Sequence, residues 1–108
     1  MTEHYLPQPY QQFQSDHPEV AQAYEALGAA CHDAGPLAEK ERHLIKLGIA
    51  TAGQSKGGVR AHVRCALDAG ATEEEIRHAI LLALTTSGFP TTIAALGWAQ
   101  QVFEARED

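Results

Sequence analysis

The chain reads as all-α, a compact orthogonal bundle of about five helices, on three observations. Alanine and leucine dominate the apolar residues while aromatics make up only 6%, a balance that favours helix over sheet. Apolar residues recur at intervals of three and four, and no stretch alternates with the period of two that a strand needs. Glycine- and proline-containing breaks cut the chain into pieces of helical length. With 108 residues there is room for one domain, residues 1–108.

Residues 1–14 are polar and carry Pro7 and Pro9, so an extended N-terminal arm is expected before a first helix. Ser15 or Asp16 is placed to cap that helix, with Pro18 tolerated in its first turn. Val20, Ala23, Tyr24, Leu27 and Cys31 share one of its faces, and Gly35-Pro36 ends it. A second helix is predicted from about Ala38 to Ala52, apolar on most of its circumference and therefore central. The segment Gln54-Ser55-Lys56-Gly57-Gly58 breaks it and opens a third helix to about Ala69. Val59, Val63, Ala66 and Leu67 form the inward stripe of that third helix, and Gly70 stops it. Thr72-x-x-Glu75 has the form of a capping box. The helix it opens is expected to bury Ile76, Ala79, Ile80, Ala83 and Leu84, with Leu81 and Leu82 on a second apolar surface. After Gly88-Phe89-Pro90 a last helix uses Ile93, Leu96, Gly97, Trp98 and Phe103 and frays into Ala-Arg-Glu-Asp.

Charge narrows the function classes. A net charge of −6 argues against a general nucleic-acid binder, which needs a basic surface to neutralise phosphates. No apolar run approaches a membrane-spanning length, and the first ten residues lack the pattern of a signal peptide. A reducing cytoplasm is the expected compartment, with Cys31 and Cys65 as free thiols. Helices with apolar residues on more than one side, in so short a chain, point to self-association.

The ordered set His62, Ala66-Leu67, Ala69-Gly70-Ala71, Glu74-Glu75-Ile76, Gly88 and Pro90, preceded by His17-Pro18-Glu19-Val20, carries a resemblance. From roughly Phe13 to Phe103 the chain resembles the carboxymuconolactone decarboxylase and alkyl hydroperoxidase D-like family. The resemblance implies an all-helical homo-oligomer, typically a trimer or hexamer, with an active site where the second and third helices meet. Peroxidase members carry a Glu on the second helix and Cys-x-x-Cys-x-x-x-His opening the third. Aligned on His62, the two cysteine positions fall on Ser55 and Gly58, so the thiolate and its resolving partner are missing. The Glu position falls on His43, or on Glu41 if the alignment shifts. Members of the decarboxylase branch lack the cysteine pair, keep the His and act on a lactone bearing carboxylates.

Read from the residues, Ser55, Gly58 and His62 are spaced three then four apart and share a helix face. An imidazole there can move a proton near neutral pH. His43 sits where it can approach His62 across an antiparallel helix pair, and two imidazoles without a third ligand are a weak metal signal. Ser55, Lys56, Gly57 and Gly58 open a helix, whose unpaired N–H groups and dipole suit a carboxylate. The expectation is therefore a small-molecule carboxylate ligand, His62 and His43 as catalytic residues, the Ser55–Gly58 turn as binding element, and no metal or cofactor. Each feature also has a plainer reading: packed histidines and a glycine-rich turn between helices. Cys65, three residues after His62, and Cys31 are most simply packing residues. His78 and Trp98 fit an interface or core role better than catalysis.

Overall fold

The computed structural model describes residues 7–107 and divides the chain into two units, Met1–Pro36 and Leu37–Asp108. Every regular element among the described residues is an α-helix.

The first unit holds α1 (Gln8–Asp16) and α2 (Pro18–Asp33). The expected extended arm is thus corrected from Gln8 onward, while residues 1–6 lie outside the described residues. Both prolines fit helix entry: Pro7 is the extended N-cap and Pro9 stands in the first turn, where a missing N–H breaks no helical bond. Glu25 of α2 joins the pair, accepting from Gln14 Nε2 at 3.2 Å and Tyr10 Oη at 3.4 Å. His17, rather than Ser15 or Asp16, is the N-cap of α2, with Pro18 at its first position. Asp16 is engaged instead as acceptor from Gln12 Nε2 at 2.9 Å.

The second unit comprises α3 (Glu39–Ala52), α4 (Lys56–Asp68), α5 (Glu73–Leu81), the single turn α6 (Leu84–Ser87) and α7 (Phe89–Glu107). Helices α3 and α4 pair most extensively, and α7 packs across α4 and α5. Leu47, Val59, Val63, Ile76, Ile80 and Phe103 are the large residues of the core, with Ala66, Ala95 and Ala99 between them. The stripe predicted for α4 is therefore inward, although Leu67 is only half-buried.

Local signals set the helix ends. Ser55 Oγ accepts the Gly58 N–H at 3.0 Å and starts α4. At α5 the capping box is complete: Glu75 N–H donates to Thr72 Oγ1 at 3.0 Å and Thr72 N–H to Glu75 Oε1 at 2.9 Å. Together with Lys40 Nζ, 3.1 Å from its other oxygen, these donors hold the Glu75 carboxyl below its ordinary range, the backbone N–H of Thr72 first. Helix α4 ends with Gly70 at φ 99°, its N–H on Leu67 O and the Ala71 N–H on Ala66 O. Helix α3 ends in the same way, Gln54 N–H to Thr51 O and Ser55 N–H to Ala50 O, but there the left-handed residue is Gln54 at φ 55°. Gly53 stands one position too early to take it.

Three expectations need correction. The helix opened by Thr72 stops at Leu81; a turn through Leu82 and Ala83 leads into α6, which leaves Leu84 exposed. On α7 the inward face is Thr92, Ala95, Ala99, Val102 and Phe103, while Ile93 is exposed. Alanines let α7 lie close to its neighbours, a choice invisible in a helix apolar nearly all round. Nor does α7 end at the Ala-Arg-Glu-Asp tail: it continues to Glu107, and Arg106 Nη2 meets Asp68 Oδ1 of α4 at 2.6 Å.

Candidate functional site

The antiparallel pairing of α3 and α4 brings His43 and His62 together. Their Nδ1 atoms are 3.4 Å apart and their rings, tilted by 35°, have centroids 5.6 Å apart. His43 is buried and His62 half-buried. The sequence let the two rings approach across an antiparallel pair; the register between α3 and α4 sets the contact itself. Glu41, the other residue considered for the family's Glu position, is exposed on α3.

Two nitrogens at this distance can share one proton, and the neutral pair then has a fixed pattern. The ring that donates through Nδ1–H has a lone pair on Nε2, and the ring that accepts carries its proton on Nε2. One member is thus a base and the other an acid. Shifting the shared proton between the Nδ1 atoms, with a matching exchange at Nε2, reverses the roles.

Ser55, Lys56 and Gly57 are exposed at the start of α4, and Gly58 is half-buried. The structure explains Gly58 by packing: a Cβ there would lie 2.8 Å from Ser55 Oγ and 3.1 Å from the Ala50 Cβ of α3. Its N–H is engaged by the Ser55 cap. Gly57 faces open space. Along α4, Gly58 lies one turn and Ser55 two turns before His62, about 6 and 10 Å of helix rise.

Neither cysteine completes a redox motif. Cys31 is an exposed free thiol on α2, and Cys65 is a half-buried free thiol on α4. Burial first, then the Asp68 carboxylate, push the Cys65 thiol above its ordinary pKa, the reverse of what a thiolate nucleophile needs. Among the described residues no group of three or more His, Cys, Asp or Glu is arranged to hold a metal ion. No helix among them is long and apolar enough to cross a membrane.

A second feature lies on the opposite side of α3. A groove of about 610 Å³ runs between α3 and α5, with Leu44, Ile45, Gly48 and Ile49 on one side and Ala79, Leu82 and Ala83 on the other. Glu75, His78 and Thr86 are its polar members, and none of the six predicted site residues lines it. The sequence signal for this groove was present in the second apolar surface at Leu81 and Leu82, and His78 was read as a contact residue.

Comparison with known proteins agrees with this architecture. No curated protein matches the chain. The apo crystal structure of a carboxymuconolactone decarboxylase family protein from Legionella pneumophila is similar, with a TM-score of 0.77 and 27% sequence identity over 90% of this chain and 86% of that one. The sequence profile of that family matches residues 18–101, from the start of α2 into α7. The chain belongs to the carboxymuconolactone decarboxylase family.

Proposed function

We propose that this protein is a non-redox enzyme acting on a small carboxylate-bearing molecule, with His62 as the acid/base and His43 as its proton partner. The observation that carries the reading is the 3.4 Å contact between the two Nδ1 atoms. A decarboxylation fits it. The C–C bond to the leaving carboxylate breaks, its electron pair stays on the substrate as a carbanion or enolate, and carbon dioxide departs. The enolate then needs one proton, which His62 delivers from Nε2. As it leaves, the shared proton passes from His43 Nδ1 to His62 Nδ1, and solvent returns one proton to the pair, so neither ring is left an anion. His62 takes the substrate-facing role because it keeps part of its surface open while His43 is buried.

A second carboxylate of the substrate would lie at the start of α4. There Lys56 and the positive end of the helix dipole offer opposite charge. The Gly58 N–H is committed to the cap, so Lys56 and the outer part of the first turn carry this role.

A thiol peroxidase reading has less support. Ser55 and Gly58 occupy the cysteine positions, and burial keeps Cys65 protonated. Peroxide treatment followed by mass spectrometry should leave Cys65 unmodified.

The test is carbon dioxide release from a panel of lactones and oxo acids bearing one or two carboxylates. His62→Gln should lower turnover of any accepted substrate by roughly 10²–10⁴-fold with an unchanged helical signal. Full activity in that variant would remove His62 from the chemistry.

A further inference from the structure

The two histidines are flanked alike. Four residues on, each helix carries a fully buried side chain, Leu47 on α3 and Ala66 on α4. Three residues on, each carries a half-buried one, Lys46 on α3 and Cys65 on α4. Positions three and four beyond a helical residue lie to opposite sides of it. Because α3 and α4 run antiparallel, their core-facing sides coincide, and so do their outer sides. Lys46 and Cys65 therefore share the outer edge of the histidine seam. We infer that the Lys46 ammonium is the oxyanion donor of this site, stabilising the enolate oxygen that forms as the substrate loses carbon dioxide, a role that rests on the decarboxylation reading above.

Reach, charge and burial single out this lysine. Helical side chains lean toward the N-terminus of their own helix, so Lys46 extends from its turn back toward that of His43, level with His62. Its charge is felt there. Burial, then Asp68, raise the Cys65 thiol pKa; Arg64 and then Lys46 act against them, both ahead of the Glu39 carboxylate one turn before His43. At a residue one turn from His62, Lys46 thus outweighs the nearest acid on its own helix. Lys46 is half-buried whereas Lys56 is exposed, and less water around an ammonium strengthens its pull on a neighbouring oxygen. The chemistry needs a cation at this place. Decarboxylation moves one negative charge from the leaving carboxylate to the enolate oxygen. A cation fixed on the carboxylate would favour the intact substrate, while one beside the oxygen favours bond breaking. Lys46 donates a hydrogen bond and keeps its protons, so the histidine pair's proton balance is unchanged.

The probe is 3-nitropropionate, whose nitronate carries its charge on oxygen as an enolate does. Added preformed from base, the nitronate is compared with the nitro form at one pH by calorimetry. The His62 ring signals, assigned with His62→Gln, are followed by NMR in the same titrations. The nitronate should bind the full-length protein more tightly than the nitro form and shift the His62 signals. Lys46→Met and Lys46→Arg keep the apolar stem and should keep the helical signal. Lys46→Met should weaken nitronate binding roughly tenfold or more and nitro binding less than about twofold, with Lys46→Arg recovering most of the loss. Equal nitronate affinity in the parent and Lys46→Met proteins would overturn the role of Lys46 while leaving His62 in place, and so would equal losses for both forms. A nitronate that does not bind, or binds without moving the His62 signals, would overturn the role of Lys46 and the decarboxylation reading together.

Discussion

Helix α3 has two faces that the molecule treats in opposite ways. The face toward α4 presents His43, Leu47 and Thr51, all buried, and brings Ala50 against Gly58. The face toward the α3–α5 groove presents Ile45 and Ile49, the more apolar pair, and leaves them about half to two-thirds exposed. Hydrophobicity alone would rank these faces the other way. The packed face can hold polar groups because each has a specific partner: Thr51 Oγ1 donates to Leu47 O at 2.9 Å, and His43 meets His62. The open face has nothing polar to satisfy and no neighbour within its unit large enough to cover it. One face is thus held by specific partners, and the other is left open within its unit.

Truncation on each face separates these roles most strongly. Leu47→Ala removes a fully buried side chain and should cost about 2–5 kcal/mol in chemical denaturation. Ile49→Ala removes a side chain that is 66% exposed and should change stability by no more than about 0.5 kcal/mol. Equal losses would mean that the two faces are equally packed.

The paired glycines of α4 give a smaller contrast. Gly58→Ala drives a Cβ into Ser55 and Ala50 and should cost about 1–3 kcal/mol, while Gly57→Ala, in open space, should be neutral or stabilising by about 0.5 kcal/mol. A stable Gly58→Ala variant would show that the α3–α4 contact is looser than described and that the histidine pair is less firmly held.

The smallest expected effect belongs to the turn that joins the two packed helices. Gln54 holds a left-handed conformation that glycine adopts without steric cost, so Gln54→Gly should raise stability by about 0.5–1 kcal/mol in thermal denaturation. A fall in stability would mean that the Gln54 side chain contributes more than its backbone costs.

The features legible in the sequence were those written within four or five residues. Ser55 as the cap of α4, the Thr72–Glu75 box and Gly70 as a stop all use side chains that bond to their own helix end. Pro7 and Pro9 misled because proline favours both an extended arm and a helix's first turn. Ile93 misled because α7 is apolar nearly all round, and periodicity then selects no face. For the candidate site, the residue types, their helices and the approach of His43 to His62 across an antiparallel pair were readable, while the 3.4 Å contact and the burial of each ring were not.

The chain alone therefore determined that helices would form, where several of them begin and end, and which family they belong to. Those signals are short-range hydrogen bonds and an ordered motif. Tertiary structure decided which side of α3 faces α4, which alanines of α7 turn inward and that two imidazoles nineteen residues apart come within 3.4 Å. Such outcomes depend on how one helix's ridges fit another's grooves, a property of two surfaces that neither helix specifies alone.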